Sequence, residues 1–214
     1  DGALSGKASI NSSHGSISYT DHADAPLLQY DQLQLDADLA PAMQRINVHS
    51  GLDNDGRLDG QINFSGAKHA LSGQLDLHTH ELAFIELFNN DIANVKGAFN
   101  GTFHFAGSLQ QPSIIGQANV AGFAAEVPAA GLKLSDGQLA INTTDARQFS
   151  IHGSVHSGKG NVTIDGNAGI GNDAQTTLTL KGSQFTAIDI PAAHVVLSPD
   201  LVVKQNAKGI DLGG

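Results

Sequence analysis

The sequence contains no cysteine and no tryptophan, and aromatic residues make up only 5% of its 214 positions. Without cysteine there can be neither a disulfide framework nor a thiolate metal site, and the composition suits cytosol and periplasm alike. With so few rings, any core must be built from aliphatic side chains, which fall within a hydrophobic share of 40%. Basic residues are also scarce: 11 Lys and Arg against 21 Asp and Glu leave a formal net charge of −10. A sequence-independent grip on nucleic acid needs clustered Lys and Arg, so no nucleic-acid partner is expected. No apolar run approaches the roughly 20 residues of a membrane-spanning helix, and no signal peptide opens the chain. The chain starts at Asp1 rather than Met and ends at Gly214 directly after IDLGG. It therefore reads as a piece of a longer protein, with any membrane anchor or targeting signal outside it.

What is present is alternation. In FNGTFHFAGSLQQPSIIGQANVAGF, from Phe99 to Phe123, Phe103 and Phe105 lie two apart, as do Ile114, Gly116, Ala118 and Val120. That period places residues on one face of a β-strand. Gly107 and Pro112 bracket a short polar loop, so the segment predicts two antiparallel strands joined by a turn. The same alternation recurs upstream, from Ala8 and Ile10 through Leu71 to Leu77, and downstream, from Leu132 to Val203. DNDG at Asp53, SDG at Ser135, SGKG at Ser157 and DGNAG at Asp165 supply the turn signals. The fold class is all-β, with about a dozen or more mostly antiparallel strands and at most one short helix. That helix, or an irregular crossover, is expected from Glu81 to Val95, where Leu82, Ile85, Phe88, Ile92 and Val95 recur at near-helical intervals. It offers a boundary between residues 1–95 and 96–214, although the two can form one continuous domain.

Candidate chemistry is thin. GSVHSGKG, from Gly153 to Gly160, nearly fits a phosphate-binding loop. However, Gly160 has no hydroxyl for magnesium, and the following NVTIDG reads as a strand where a helix N-terminus is required. LDNDGRLDG, from Leu52 to Gly60, resembles a calcium loop, but its register puts Gly51 at the first carboxylate and Ile62 at the bidentate Glu. Both read as hairpin turns. Among ten histidines, His78 with His80 and His152 with His156 share strand parity. With no carboxylate recurring beside them and no evident orienting partner, they read as decoration of a wet face, and no metal is expected. No Ser lies in a G-x-S-x-G elbow, so no enzyme and no cofactor are expected.

A strand with one apolar face must hide it against a second sheet, in a closed barrel, in a solenoid or against something apolar that binds there. A dozen strands at about 4.8 Å spacing would extend roughly 60 Å in one sheet, too long for a compact sandwich. Small residues such as Ala118 and Ala140 at apolar positions leave space that two packed sheets would fill. An apolar groove is expected, lined by Leu75, Leu77, Phe103, Phe105, Ile114, Val120, Leu139, Ile141, Ile151, Val162, Ile164, Leu178, Leu180, Val195 and Leu197. The intervening His104, Asn119, Thr163 and Thr179 face the other way.

The order GTFHFAGSLQQPSIIGQANVAG, EVPAAGLKLSDGQLAI, FSIHGSVHSGKGNVTIDGNAG, TTLTLKGS and VVLSPDL, over about Gly97 to Leu201, resembles the C-terminal conserved region of the TamB family. The resemblance implies an elongated β-taco or half-pipe with a greasy interior, similar to AsmA-like lipid-bridge proteins. It implies an inner-membrane anchor outside this stretch and a course across the periplasm of a Gram-negative bacterium. The implied partners are phospholipid acyl chains and an outer-membrane barrel of the Omp85 class, called TamA, met mostly through other regions. The implied role is lipid movement between the membranes and support of outer-membrane protein assembly, with no catalytic residues. A chaperone-like surface for outer-membrane strands and a structural β-solenoid stalk are the alternatives. A solenoid would repeat at one fixed period, whereas the intervals here drift between about 10 and 16 residues.

Overall fold

A computed structural model describes residues 5–18, 26–66, 70–108, 110–170, 174–206 and 209–213. Tyr19, which extends the strand pattern beyond Ile17, lies outside these. The described residues contain no α-helix. They form thirteen strands: β1 (Gly6–Ile17), β2 (Leu28–Ala40), β3 (Met43–Leu52), β4 (Gly56–Ser65), β5 (Ala70–Thr79), β6 (Ala93–Gly107), β7 (Pro112–Val127), β8 (Leu132–Asp145), β9 (Gln148–Gly169), β10 (Thr176–Ile190), β11 (Ala193–Leu197), β12 (Asp200–Asn206) and β13 (Gly209–Gly213). Hydrogen-bonded neighbours follow chain order from β1 to β10 and on through β12 to β13, while β11 folds back on β10. Such a meander follows from turn residues placed every 10 to 20 positions along an alternating chain. Pairing divides the chain into two compact units, residues 1–80 with 100–117 and residues 81–99 with 118–214.

The turns show how local chemistry sets register. Asn54 and Asp55 take positive φ of 56° and 62° between β3 and β4, and the Gly56 amide donates to the Asp53 carbonyl at 3.1 Å. This fixes Leu52 opposite Gly56 and, four residues back, Val48 opposite Gly60. Ser108 and Gln111 exchange two backbone hydrogen bonds of 3.1 Å between β6 and β7, closing the loop expected there.

Two turn signals prove to be strand. Ser135 to Gly137 lies inside β8, where Asp136 takes φ of 50° and the register with β9 shifts between Ser135 and Gln138, so SDG is a bulge rather than a chain reversal. DGNAG, from Asp165 to Gly169, continues β9 to its end. A true reversal occurs within β9. His152 Nδ1 lies 2.8 Å from Asp165 Oδ1, and a Cβ on Gly153 would lie 3.0 Å from Ile164 Cγ2. Residues 13 apart on a straight strand would be about 43 Å apart, so β9 folds on itself at SGKG, where Gly158 takes φ of 61°.

From Glu81 to Val95 the chain forms a 3₁₀ turn at Ala83–Phe88 and then enters β6. The near-helical spacing separates here: Leu82 is 2% exposed and Val95 3%, whereas Phe88 is 83% exposed. Asn89 breaks the turn by accepting the Asp91 amide on its side chain at 2.9 Å. Glu86 Oε1 accepts the Val95 amide at 2.7 Å and ties the crossover to β6. Leu82, Val95 and Ala125 form the buried centre of the second unit, with Phe84, Ile85, Phe99, Val120, Phe123 and Leu134 packed around it.

Candidate functional site: an apolar sheet face

Residues directly opposite each other on paired strands project to the same side of the sheet, so register reveals the faces. In the second unit Leu139 pairs with Gly153, Gly153 approaches Ile164 across the fold in β9, Ile164 pairs with Leu180, and Leu180 pairs with Leu201. These five form one unbroken row. Beside it, Ile141 pairs with Ile151, and Leu178 pairs with Gly166 on one side and Val203 on the other. Val162 lies opposite Gly182 on the same face. Glycine relieves crowding within the row: a Cβ on Gly153 would lie 2.9 Å from the Gln138 carbonyl oxygen and 3.0 Å from Ile164 and Leu139 side-chain atoms.

The opposite parity is hydrophilic. Thr163 pairs with Lys181, Thr179 with Asp165, Gln138 with Ser154 and Asn142 with Ser150. Asn119, Gln138, His152, Ser154, Thr163 and Asp165 line a shallow hollow of about 490 Å³ on that side, where His152 and Asp165 satisfy each other.

The first unit repeats the arrangement. Ile10, Leu35, Val48, Gly60 and Leu75 form one cross-strand row, Ala8, Ala37, Ile46, Ile62 and Gly73 a second, and Ser50, Leu58 and Leu77 a third. The other parity carries Lys7, Asp38, Arg45 and Asn63, and then Ser9, Asp36, Asn47, Gln61 and Gln74. Arg45 donates to Asn63 at 2.9 Å and Gln61 to Asn47 at 3.0 Å along this polar ladder. Thr102 donates to Asp76 at 2.8 Å, and His78 bonds Asn100. Those two contacts put even-numbered β6 residues on the polar side and Phe103 and Phe105 on the apolar side with Leu75 and Leu77. A Cβ on Gly116 would lie 2.8 Å from Phe103 Cα, so Ile114, two residues along β7, shares that side.

Register thus brings Leu75, Leu77, Phe103, Phe105 and Ile114 onto one face in the first unit, and Leu139, Ile141, Ile151, Val162, Ile164, Leu178 and Leu180 onto one face in the second. Val120 packs against the small core under the 3₁₀ turn. Val195 pairs with Ile188 and Leu197 with Phe185, at the end of the sheet where β11 folds back; Leu197 is 48% exposed. Parity-based selection missed Leu35, Val48, Ile62, Leu201 and Val203. The DNDG turn carried the signal for Val48, since it places Leu52 opposite Gly56 and so Val48 opposite Gly60.

Among the described residues, only Leu82, Val95, Ala118 and Ala125 are buried apolar side chains, and the row residues of the second unit other than Leu201 are half-buried. Leu201 is 44% exposed. Among the described residues no three His, Cys, Asp or Glu side chains are grouped to hold a metal ion.

Residues 1–120 match the TamB N-terminal domain, and residues 147–214 match the TamB C-terminal domain. The chain belongs to the TamB family. Over 174 residues it is 25% identical to the translocation and assembly module subunit TamB of Haemophilus influenzae strain Rd, a match that takes in 79% of this chain and 13% of that relative. The chain therefore spans only a small part of the length of the curated relative it matches. No solved structure matches it. Within TamB terms, the motifs from Gly97 to Leu201 straddle the two domain matches, and the Leu139–Leu201 row runs from the interval between them into the C-terminal one. No helix among the described residues is long and apolar enough to cross a membrane.

Proposed function

We propose that this TamB segment carries phospholipid acyl chains along its apolar sheet face, as a periplasmic part of an inner-membrane-anchored protein that links inner and outer membranes and supports outer-membrane protein assembly. The supporting observation is the row Leu139, Gly153, Ile164, Leu180 and Leu201, aliphatic or glycine throughout and with none of its members among the buried residues. An acyl chain laid on it gains about 0.8 kcal/mol for each methylene removed from water. No charged or hydrogen-bonding side chain interrupts the row, so nothing fixes the chain in one position and it can slide. The relative's designation as a subunit of a translocation and assembly module supports a partner, which we take to be a TamA-like barrel of the Omp85 class reached through other regions. The role is transport and assembly without catalysis.

Native mass spectrometry of the chain purified from a Gram-negative envelope tests this. Phospholipid adducts are expected, and they should disappear when Leu180 is replaced by Asp. A chain that flies free of lipid, or that retains only peptide, contradicts the reading.

A further inference from the structure

Two motifs that the apolar face leaves unused meet in the first unit: HTH at the end of β5 and the DNDG turn between β3 and β4. His78 and His80 project from the same side, and their ring centroids are 4.8 Å apart at an interplanar angle of 88°. Each has its Nδ1 engaged by an oxygen acceptor far away in sequence. His80 Nδ1 lies 2.8 Å from the Asn54 backbone carbonyl, and His78 Nδ1 bonds Asn100 Oδ1. An imidazole that donates Nδ1–H to an oxygen keeps its lone pair on Nε2, and this is how proteins orient metal-ligating histidines. The sequence offered no such orienting partner, which is why the pair read as surface decoration; the fold supplies two, 26 and 22 residues away.

We propose that His78 and His80 form a site for a borderline divalent transition metal of the zinc, nickel or copper(II) class, bound through both Nε2 atoms. Neutral imidazole nitrogens suit these ions, whereas calcium and magnesium require an oxygen cage that is not present here. The turn that holds Asn54 also carries Asp53 and Asp55, whose charges outweigh that of Arg57, the residue opposite His78 on β4. With two protein ligands, the remaining positions belong to water, so the site is open and exchangeable. The proposal is independent of the lipid reading.

The test is calorimetric titration of the whole chain with zinc chloride, paired with nitrogen-15 spectra that report histidine tautomers. One zinc per chain is expected, lost in His78→Ala and in His80→Ala and retained in His194→Ala, whose Asp189-paired ring lies elsewhere. Asn100→Ala should weaken zinc binding by about tenfold, as loss of an orienting partner does. In the metal-free chain both histidines should be Nδ1–H tautomers, shifting to Nε2 ligation with zinc. Absence of zinc heat, wild-type zinc binding in either alanine variant, or Nε2–H tautomers in the free chain would overturn the site.

Discussion

Ile164 and Leu180 stand directly opposite each other across β9 and β10, and Leu201 faces Leu180 from β12. One position away, Thr163 faces Lys181 and Thr179 faces Asp165. A one-residue step along either strand therefore crosses the sheet. Replacing Leu180 by Asp puts a carboxylate in the middle of an aliphatic row, where an acyl chain cannot cover it without stripping its water, at a cost of several kcal/mol. Lipid transfer between donor and acceptor vesicles should fall sharply in Leu180→Asp and stay near the wild-type rate in Thr179→Asp.

Core and groove should also separate in stability. Leu82 is 2% exposed and enclosed by Val95, Ala125 and the aromatic side chains around them. Leu82→Ala should cost about 3 kcal/mol, as cavity-forming substitutions do. Leu180 is only half-buried, so in the delipidated chain Leu180→Ala should cost less than about 1.5 kcal/mol. Urea denaturation of the two variants compares them directly, and equal losses would mean that the row is an ordinary core.

Much of this was legible in the sequence, because alternation along a strand is a local property. Leu178 and Leu180 share one face because no register shift with β9 or β12 falls between them. Bulges were less legible. Ser135 to Gly137 has the composition of a turn but leaves β8 continuous, since one residue at positive φ kinks a strand without reversing it. Val120 follows the alternation yet packs under the crossover, because tertiary contact with Leu82 and Val95 decides what covers it. The partners of His78 and His80 depend on pairing between distant strands, which no local pattern encodes.

Two glycines separate backbone strain from crowding. Gly122 takes φ of 62° with open space where a Cβ would sit, whereas Gly131 takes the same φ and a Cβ there would strike the Asp189 carbonyl. Gly122→Ala should cost about 1 kcal/mol from the left-handed backbone alone. Gly131→Ala should cost distinctly more, with thermal unfolding as the measure.

SGKG should not bind nucleotide. After the fold at Gly158, β9 continues through Gly169 as a strand, so the helix N-terminus that would face phosphates is replaced by ladder amides already paired with β10. Titration with magnesium-ATP should release no stoichiometric heat, and Lys159→Ala should leave lipid transfer unchanged.

The most direct measurement places a photoactivatable side chain in turn at Ile164, Leu180, Thr163 and Thr179 in cells and isolates what becomes attached. Phospholipid adducts are predicted at Ile164 and Leu180 and not at the two threonines, because only the first pair lies on the aliphatic row. Adducts of equal yield at all four positions, or at none, would contradict a sided apolar path for lipid on this chain.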